Sequence, residues 1–296
     1  MRCGNNKPTV KILLLICLCL VNSFSVACQS KPKNVAAVLQ PCQELVDKED
    51  FLAVGKCYNE QLAANPQFAV EMEATFFKSV FEKCIELKDK ESYEKAIVCF
   101  EGASVLNSNS ANTQFLLARS YYEYNKTKRR NDIEVLDRAE NAIKSSLQIK
   151  PDDAEAYYVY GRIMAQKGET SEAIKKYQQA TKLNPKEAFF WLKLALIQEE
   201  IGDTSSALTN YYQVLILDPK NTLALYNSAN LYEKAGDVGQ AIINFEKLLE
   251  IKKPYDDAEE RLENLKKQGP QPKQRTQPKQ KTKTQGVPND GTSTLP

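Results

Sequence analysis

Cysteine is the residue type in this sequence whose spacing most directly invites chemistry. Eight are present, at positions 3, 17, 19, 28, 42, 57, 84 and 99, and the last four repeat one interval, because Cys42 and Cys57 stand as far apart as Cys84 and Cys99. A cysteine can accept a lipid, form half of a disulfide, or serve as a small buried side chain. The chain has no histidine, so the commonest general base and metal ligand is missing. No phosphate-cradling glycine loop, nucleophile–base pair, metal-ligand cluster or dinucleotide fingerprint is found. Carboxylates are plentiful, as in Asp152-Asp153 and Glu199-Glu200, but they fall where helix caps and surfaces are expected. No catalytic residue, metal ligand or cofactor is therefore assigned. The chain is read as a binding protein and not an enzyme.

The N-terminus carries an address. Arg2, Lys7 and Lys11 precede Ile12 to Val21, an unbroken apolar run of ten residues. Ten residues are too few to cross a bilayer about 30 Å thick as a helix, and they fit the apolar region of a secretory signal. The following Ser25-Val26-Ala27-Cys28 resembles a lipobox, with Ser25 where leucine is usual. That resemblance implies a signal peptide over residues 1–27 and a lipid on Cys28, the new N-terminus, followed by a linker over residues 28–34. Ordinary cleavage after Ala27 without lipidation is the alternative. Export makes disulfides available to the four cysteines beyond Cys28.

Removal of the signal leaves 37 basic and 38 acidic residues, a net charge of −1. The charge is uneven: Lys273, Arg275, Lys279, Lys281 and Lys283 against Asp290 give residues 268–296 a net +4, and residues 28–267 carry −5. The hydrophobic fraction of 42% and charged fraction of 26% suit a folded body and exclude collagen, a polytopic membrane protein or wholesale disorder. Nothing here calls for nucleic acid.

The elements that must position these residues are disclosed by a repeat. Pro151, Pro185 and Pro219 are 34 residues apart, as are Gly168, Gly202 and Gly236, and Ala173, Ala207 and Ala241. Counting from Ala154 as position 1, Gly161 stands at 8, Ala173 at 20, Tyr177 at 24, Ala180 at 27 and Pro185 at 32. Units starting at Ala188 and Thr222 place Ala195 and Ala229 at 8, and Tyr211 and Phe245 at 24. Small residues suit positions where two antiparallel helices approach closely, a large ring fills the gap between hairpins, and proline ends the second helix. Period and internal spacing together resemble the tetratricopeptide (TPR) repeat. The resemblance implies an all-α fold, a right-handed superhelical α-solenoid of helical hairpins.

The same template finds weaker units upstream. Residues 111–153 fit one unit if nine residues are inserted between its helices, around Tyr124 to Ile133. That insertion holds Lys126, Lys128, Arg129 and Arg130 and reads as a basic loop, either a solvated connector or an anion-binding element. Residues 35–110 form two degenerate hairpins, starting at Val35 and Phe77, with residues 69–76 lengthening a helix and Pro41 inside the first one. Complete units follow at 154–187, 188–221 and 222–255, then a capping helix at 256–267 and a basic, Pro- and Gln-rich tail at 268–296 expected to be disordered.

The register pairs the cysteines. Cys42 and Cys84 fall at position 8, and Cys57 and Cys99 at position 23, so each pair can bridge its own hairpin. Such bridges would staple the two units of poorest consensus.

In the TPR family the first helix of each hairpin lines a concave groove, where positions 2, 5, 9 and 12 point inward. Position 5 is Phe115, Tyr158, Leu192 and Tyr226, and position 9 is Arg119, Arg162, Leu196 and Asn230. Aromatics beside arginines suit a partner protein or peptide. Position 5 could instead fill space between helices. The pattern of lysine at 5 with asparagine at 9 in a first unit, which family members use on terminal carboxylates, is missing. The resemblance therefore implies an interaction scaffold of the bacterial cell envelope, held to the membrane by its lipid alone. An outer-membrane location is expected, since Gln29 is not the aspartate that retains lipoproteins in some inner membranes. It would serve envelope assembly or, as the alternative, act as a surface lipoprotein contacting extracellular or host components, with the basic tail touching anionic polymer or lipid.

Overall fold

Two punctuation marks recur through the repeats, after Pro151 and Pro219 and within the units starting at Ala188 and Thr222. The proline at position 32 cannot continue a helix, and the residue two places later caps the next one. Asp153 and Asn221 each accept the amide of the third residue beyond at 3.1 Å. A second cap stands at position 16, where Asp203 and Asp237 accept the amides of Ser206 and Gln240 at 3.2 Å. Each cap stabilises its helix by about 1 kcal/mol.

The computed structural model describes residues 34–128 and 132–269. These form the hairpins α1 (Val35–Asp47) with α2 (Phe51–Ala64), α3 (Ala69–Asp89) with α4 (Tyr93–Leu106), and α5 (Ala111–Thr127) with α6 (Ile133–Ile149). They continue as α7 (Ala154–Lys167) with α8 (Thr170–Leu183), α9 (Ala188–Glu200) with α10 (Thr204–Leu217), and α11 (Thr222–Lys234) with α12 (Val238–Ile251), closed by α13 (Ala258–Gln268). All regular elements among the described residues are helical. Each helix makes its main contacts with its hairpin partner and the adjoining hairpin, the arrangement of an α-solenoid.

The core follows the register. Ala173, Ala207 and Ala241 are fully buried where the helices of each hairpin meet, and Tyr177, Tyr211 and Phe245 are buried between hairpins. Ala258, Leu262 and Leu265 of α13 cover the last hairpin. Pro41 is accommodated inside α1, and α3 takes in the residues beyond the repeat as extra turns.

Position 15 shows the stiffest backbone demand. Gly168, Gly202 and Gly236 adopt φ between 77° and 81° there, a left-handed conformation that costs glycine little. In the first two hairpins the same position holds Glu49 (φ 58°) and Glu91 (φ 56°), side chains for which this region is uphill. Cys42–Cys57 and Cys84–Cys99 are bridged across those two turns, with Cα separations of 5.6 and 5.3 Å. Each bridge links position 8 to position 23 of its own hairpin, as the register requires.

The insertion between α5 and α6 differs from its expected form. Both helices reach 17 residues, against 13 or 14 in the following hairpins, so the extra length is mostly helical. Lys126 belongs to the last turn of α5 instead of a loop, and Arg129 and Arg130 lie outside the described residues. The signal, Cys28 and its linker up to residue 33, and the tail from residue 270, also lie outside them. No helix among the described residues is long and apolar enough to cross a membrane.

Candidate functional site

Ring and cation recur one helical turn apart on the first helices of successive hairpins. Phe115 precedes Arg119 and Tyr122 precedes Lys126 on α5, Tyr158 precedes Arg162 on α7, and Phe189 precedes Lys193 on α9. Residues four apart share a helix face. The Arg162 guanidinium lies 5.6 Å from the Tyr158 ring centre, and the Lys193 ammonium lies 5.0 Å from that of Phe189, within cation–π range.

These faces converge on one cleft of about 580 Å³, walled by Arg119 and Lys126 of α5, Tyr158 and Arg162 of α7, and Phe189 and Lys193 of α9. Glu155 and Glu187 stand on its margin, Glu187 capping α9 through the Phe189 amide at 3.3 Å. Glu123 lies behind, accepting from Arg162 Nη2 at 3.1 Å and standing 3.8 Å from Lys126 Nζ. The Arg162 guanidinium also stacks on Tyr122 at 4.2 Å. Arg119 and Lys193 have no ion pair among the described residues. Burial, followed by the charges of Arg162 and Lys126, holds the Lys193 ammonium below its ordinary pKa. The cleft is thus a cationic hollow with an aromatic rim, Phe189 being 43% exposed.

The ladder expected at position 5 is only partly presented. Tyr158 is buried, its ring packed 5.3 and 5.2 Å from Phe189 and Phe190 and 6.0 Å from Tyr177. Burial pushes its phenol pKa up to about 12. Leu192 is buried with Ala195 and Tyr211, and Leu196 is half-buried beside them. Tyr226 is half-buried against Phe245 and Tyr255 and donates to Asp257 at 2.8 Å. Asn230 has a buried Oδ1 without a partner, Phe115 is half-buried, and Arg119 is exposed. The physical reason is overlap: a position-5 ring lies over the position-24 ring of its own hairpin, and the next hairpin covers it.

Phe189 stands at position 2, one of the inward-pointing positions, but was not among the residues expected to form the ladder, and Lys193 at position 6 falls outside that set. Lys193 is the lone charge between Glu187 and Glu199, which is the signal it left in the sequence. A second recess, of about 210 Å³ and with a mixed polar and apolar lining, lies between α10, α11 and α12, where Tyr212 and Ile216 are 61% and 54% exposed.

Comparison with known proteins agrees with this architecture. Solved structures similar in fold include MamA, at 23% identity and TM-score 0.51 over 59% of this chain and 91% of that one. Another is YrrB, described as a TPR protein with an unusual peptide-binding site, at 17% identity and TM-score 0.52 over 70% and 97%. A third is pilF of Pseudomonas aeruginosa, at 15% identity and TM-score 0.52 over 63% and 81%. At these identities the likeness concerns the fold. No curated protein matches the sequence significantly. Residues 107–259, just over half of the sequence, match the model of the cytochrome c-type biogenesis protein H TPR domain. The cleft from Arg119 to Lys193 falls wholly within that stretch, and the chain belongs to this family of TPR proteins.

Proposed function

We propose that the protein is a non-enzymatic scaffold of the cell envelope, tethered by a lipid on Cys28, that holds a partner protein or peptide on its concave face during assembly of an envelope complex. One observation carries the reading: the first helices of three consecutive hairpins, α5, α7 and α9, present cations to a single cleft, with Arg119 of α5 and Lys193 of α9 outside any ion pair among the described residues and the ring of Phe189 exposed beside them. A peptide crossing those helices would meet apolar and charged contacts in alternation. The peptide-binding site ascribed to YrrB, and the biogenesis role in the family's description, are consistent with such work. The tether rests on the Ser25-Val26-Ala27-Cys28 motif alone.

Site-specific photo-crosslinking tests the groove. A benzophenone side chain at Phe189 should capture one defined partner, identified by mass spectrometry, whereas the same group at Tyr212 on the second recess should not. Capture from Tyr212 alone would move the binding face elsewhere. Incorporation of labelled palmitate into the native chain, lost in Cys28→Ala, tests the tether separately.

A further inference from the structure

The cleft has a charge pattern that selects among peptides. Arg119, Lys126, Arg162 and Lys193 outnumber the two carboxylates on its margin, Glu155 and Glu187. Glu123, the carboxylate behind it, faces both Arg162 and Lys126. Arg119 and Lys193 are left without a carboxylate among the described residues.

We propose that this cleft takes an acidic peptide segment, one that sets carboxylates against Arg119 and Lys193 and lays an apolar side chain on the exposed ring of Phe189. The inference rests on the concave-groove reading and names the chemistry of its ligand. Three features support it together. The cations come from three separate helices, so a chain crossing the repeats meets them in succession, while a compact anion would meet only some. Phe189 adds an apolar contact that a bare anion cannot use. Finally, Lys193 is charged at a cost in the free protein, since burial and its cationic neighbours Arg162 and Lys126 disfavour its proton, and an arriving carboxylate offsets that repulsion.

The test uses a defined probe. Fluorescein-labelled Glu-Asp-Leu-Phe-Asp-Glu amide and its Gln/Asn isostere are titrated into the oxidised protein and followed by fluorescence anisotropy. The acidic peptide should bind about tenfold or more tightly than the isostere and weaken as salt rises. Lys193→Glu should lower its affinity by about tenfold or more. Lys193→Met, which keeps the apolar stem, should weaken it less, with helical content and melting unchanged in both variants. Equal binding of the two peptides, no binding of the acidic one, or indifference to Lys193→Glu overturns the proposal. So does full competition by inorganic phosphate at equal concentration, which would assign the cleft to a small anion. A Phe189 crosslink to a partner alongside a failed probe would remove only the acidic preference. Failure of the crosslink removes the groove reading itself.

Discussion

Gly161 of α7 lies so close to Tyr177 of α8 that a Cβ added to the glycine would stand 2.5 Å from the ring's Cε1 and 2.6 Å from its Cδ1. The ring is buried beneath Tyr158 and cannot swing aside. Alanine would gain about 1 kcal/mol of helix propensity over glycine, but overpacking a rigid site costs about 1–3 kcal/mol. Gly161→Ala is therefore expected to destabilise the protein in urea unfolding. Pairing it with Tyr177→Leu should cost less than the two changes summed. Strict additivity would show that the contact does not limit the approach of these helices.

The two disulfides stabilise locally. Each closes a loop with a sequence separation of 15, worth roughly 3 kcal/mol in the chain-entropy model. Because hairpins contact only their neighbours, Cys42→Ser with Cys57→Ser should raise amide exchange in α1 and α2 and leave α9 to α12 unchanged. Loss of protection spread evenly along the chain would contradict this. Intact-mass measurement before and after reduction should detect four thiols only after reduction.

Glu91 occupies a left-handed turn in which three other hairpins use glycine. Glu91→Gly should stabilise by about 1 kcal/mol through relief of that conformation. Glu49→Gly should gain less, because the Glu49 carboxylate reaches Lys95 at 2.6 Å and Lys83 at 3.5 Å across the hairpin boundary. Those lysines hold its pKa below the ordinary carboxylate value. Thermal melts of the two variants, read side by side, check the ordering.

Alkaline pH should loosen the stack. Burial, assisted by Glu101, pushes the Tyr121 phenol up to about 12, and burial does the same to Tyr158, from an ordinary value of 10.0. The folded state keeps protons that the unfolded chain releases above pH 10, so this contribution is whole below pH 10 and is lost as pH climbs towards 12. Urea midpoints taken across that window should fall. Tyr121→Phe with Tyr158→Phe should flatten the fall, and an unchanged slope would assign it to other groups.

Much of this molecule is legible in its residues because one register governs several levels at once. The 34-residue step of Pro151, Pro185 and Pro219 marks helix ends, and the same count brings Cys42 to Cys57 and Cys84 to Cys99. Position 15 was readable as a left-handed turn wherever glycine stands, yet Glu49 and Glu91 carry no such mark in their chemistry. The cleft was harder to read. Phe189 and Leu192 both stand at inward-pointing positions, 2 and 5, so the register alone does not reveal that only the first stays exposed. Tyr158 and Leu192 looked available from their position numbers, but overlap of adjoining hairpins buries them. The insertion before α6 extended both flanking helices, which the charge of its residues did not announce.

The bridged turns near the N-terminus also govern how the chain responds to load. A hairpin without a crosslink can be drawn out to roughly 3.5 Å per residue once its helices part. Each disulfide withholds the segment between its cysteines, a separation of 15, or roughly 50 Å of contour at that rise. Pulled from its ends, the oxidised protein is a spring whose first two hairpins reach less far than the rest. The cationic cleft between α5, α7 and α9 lies in the part without crosslinks.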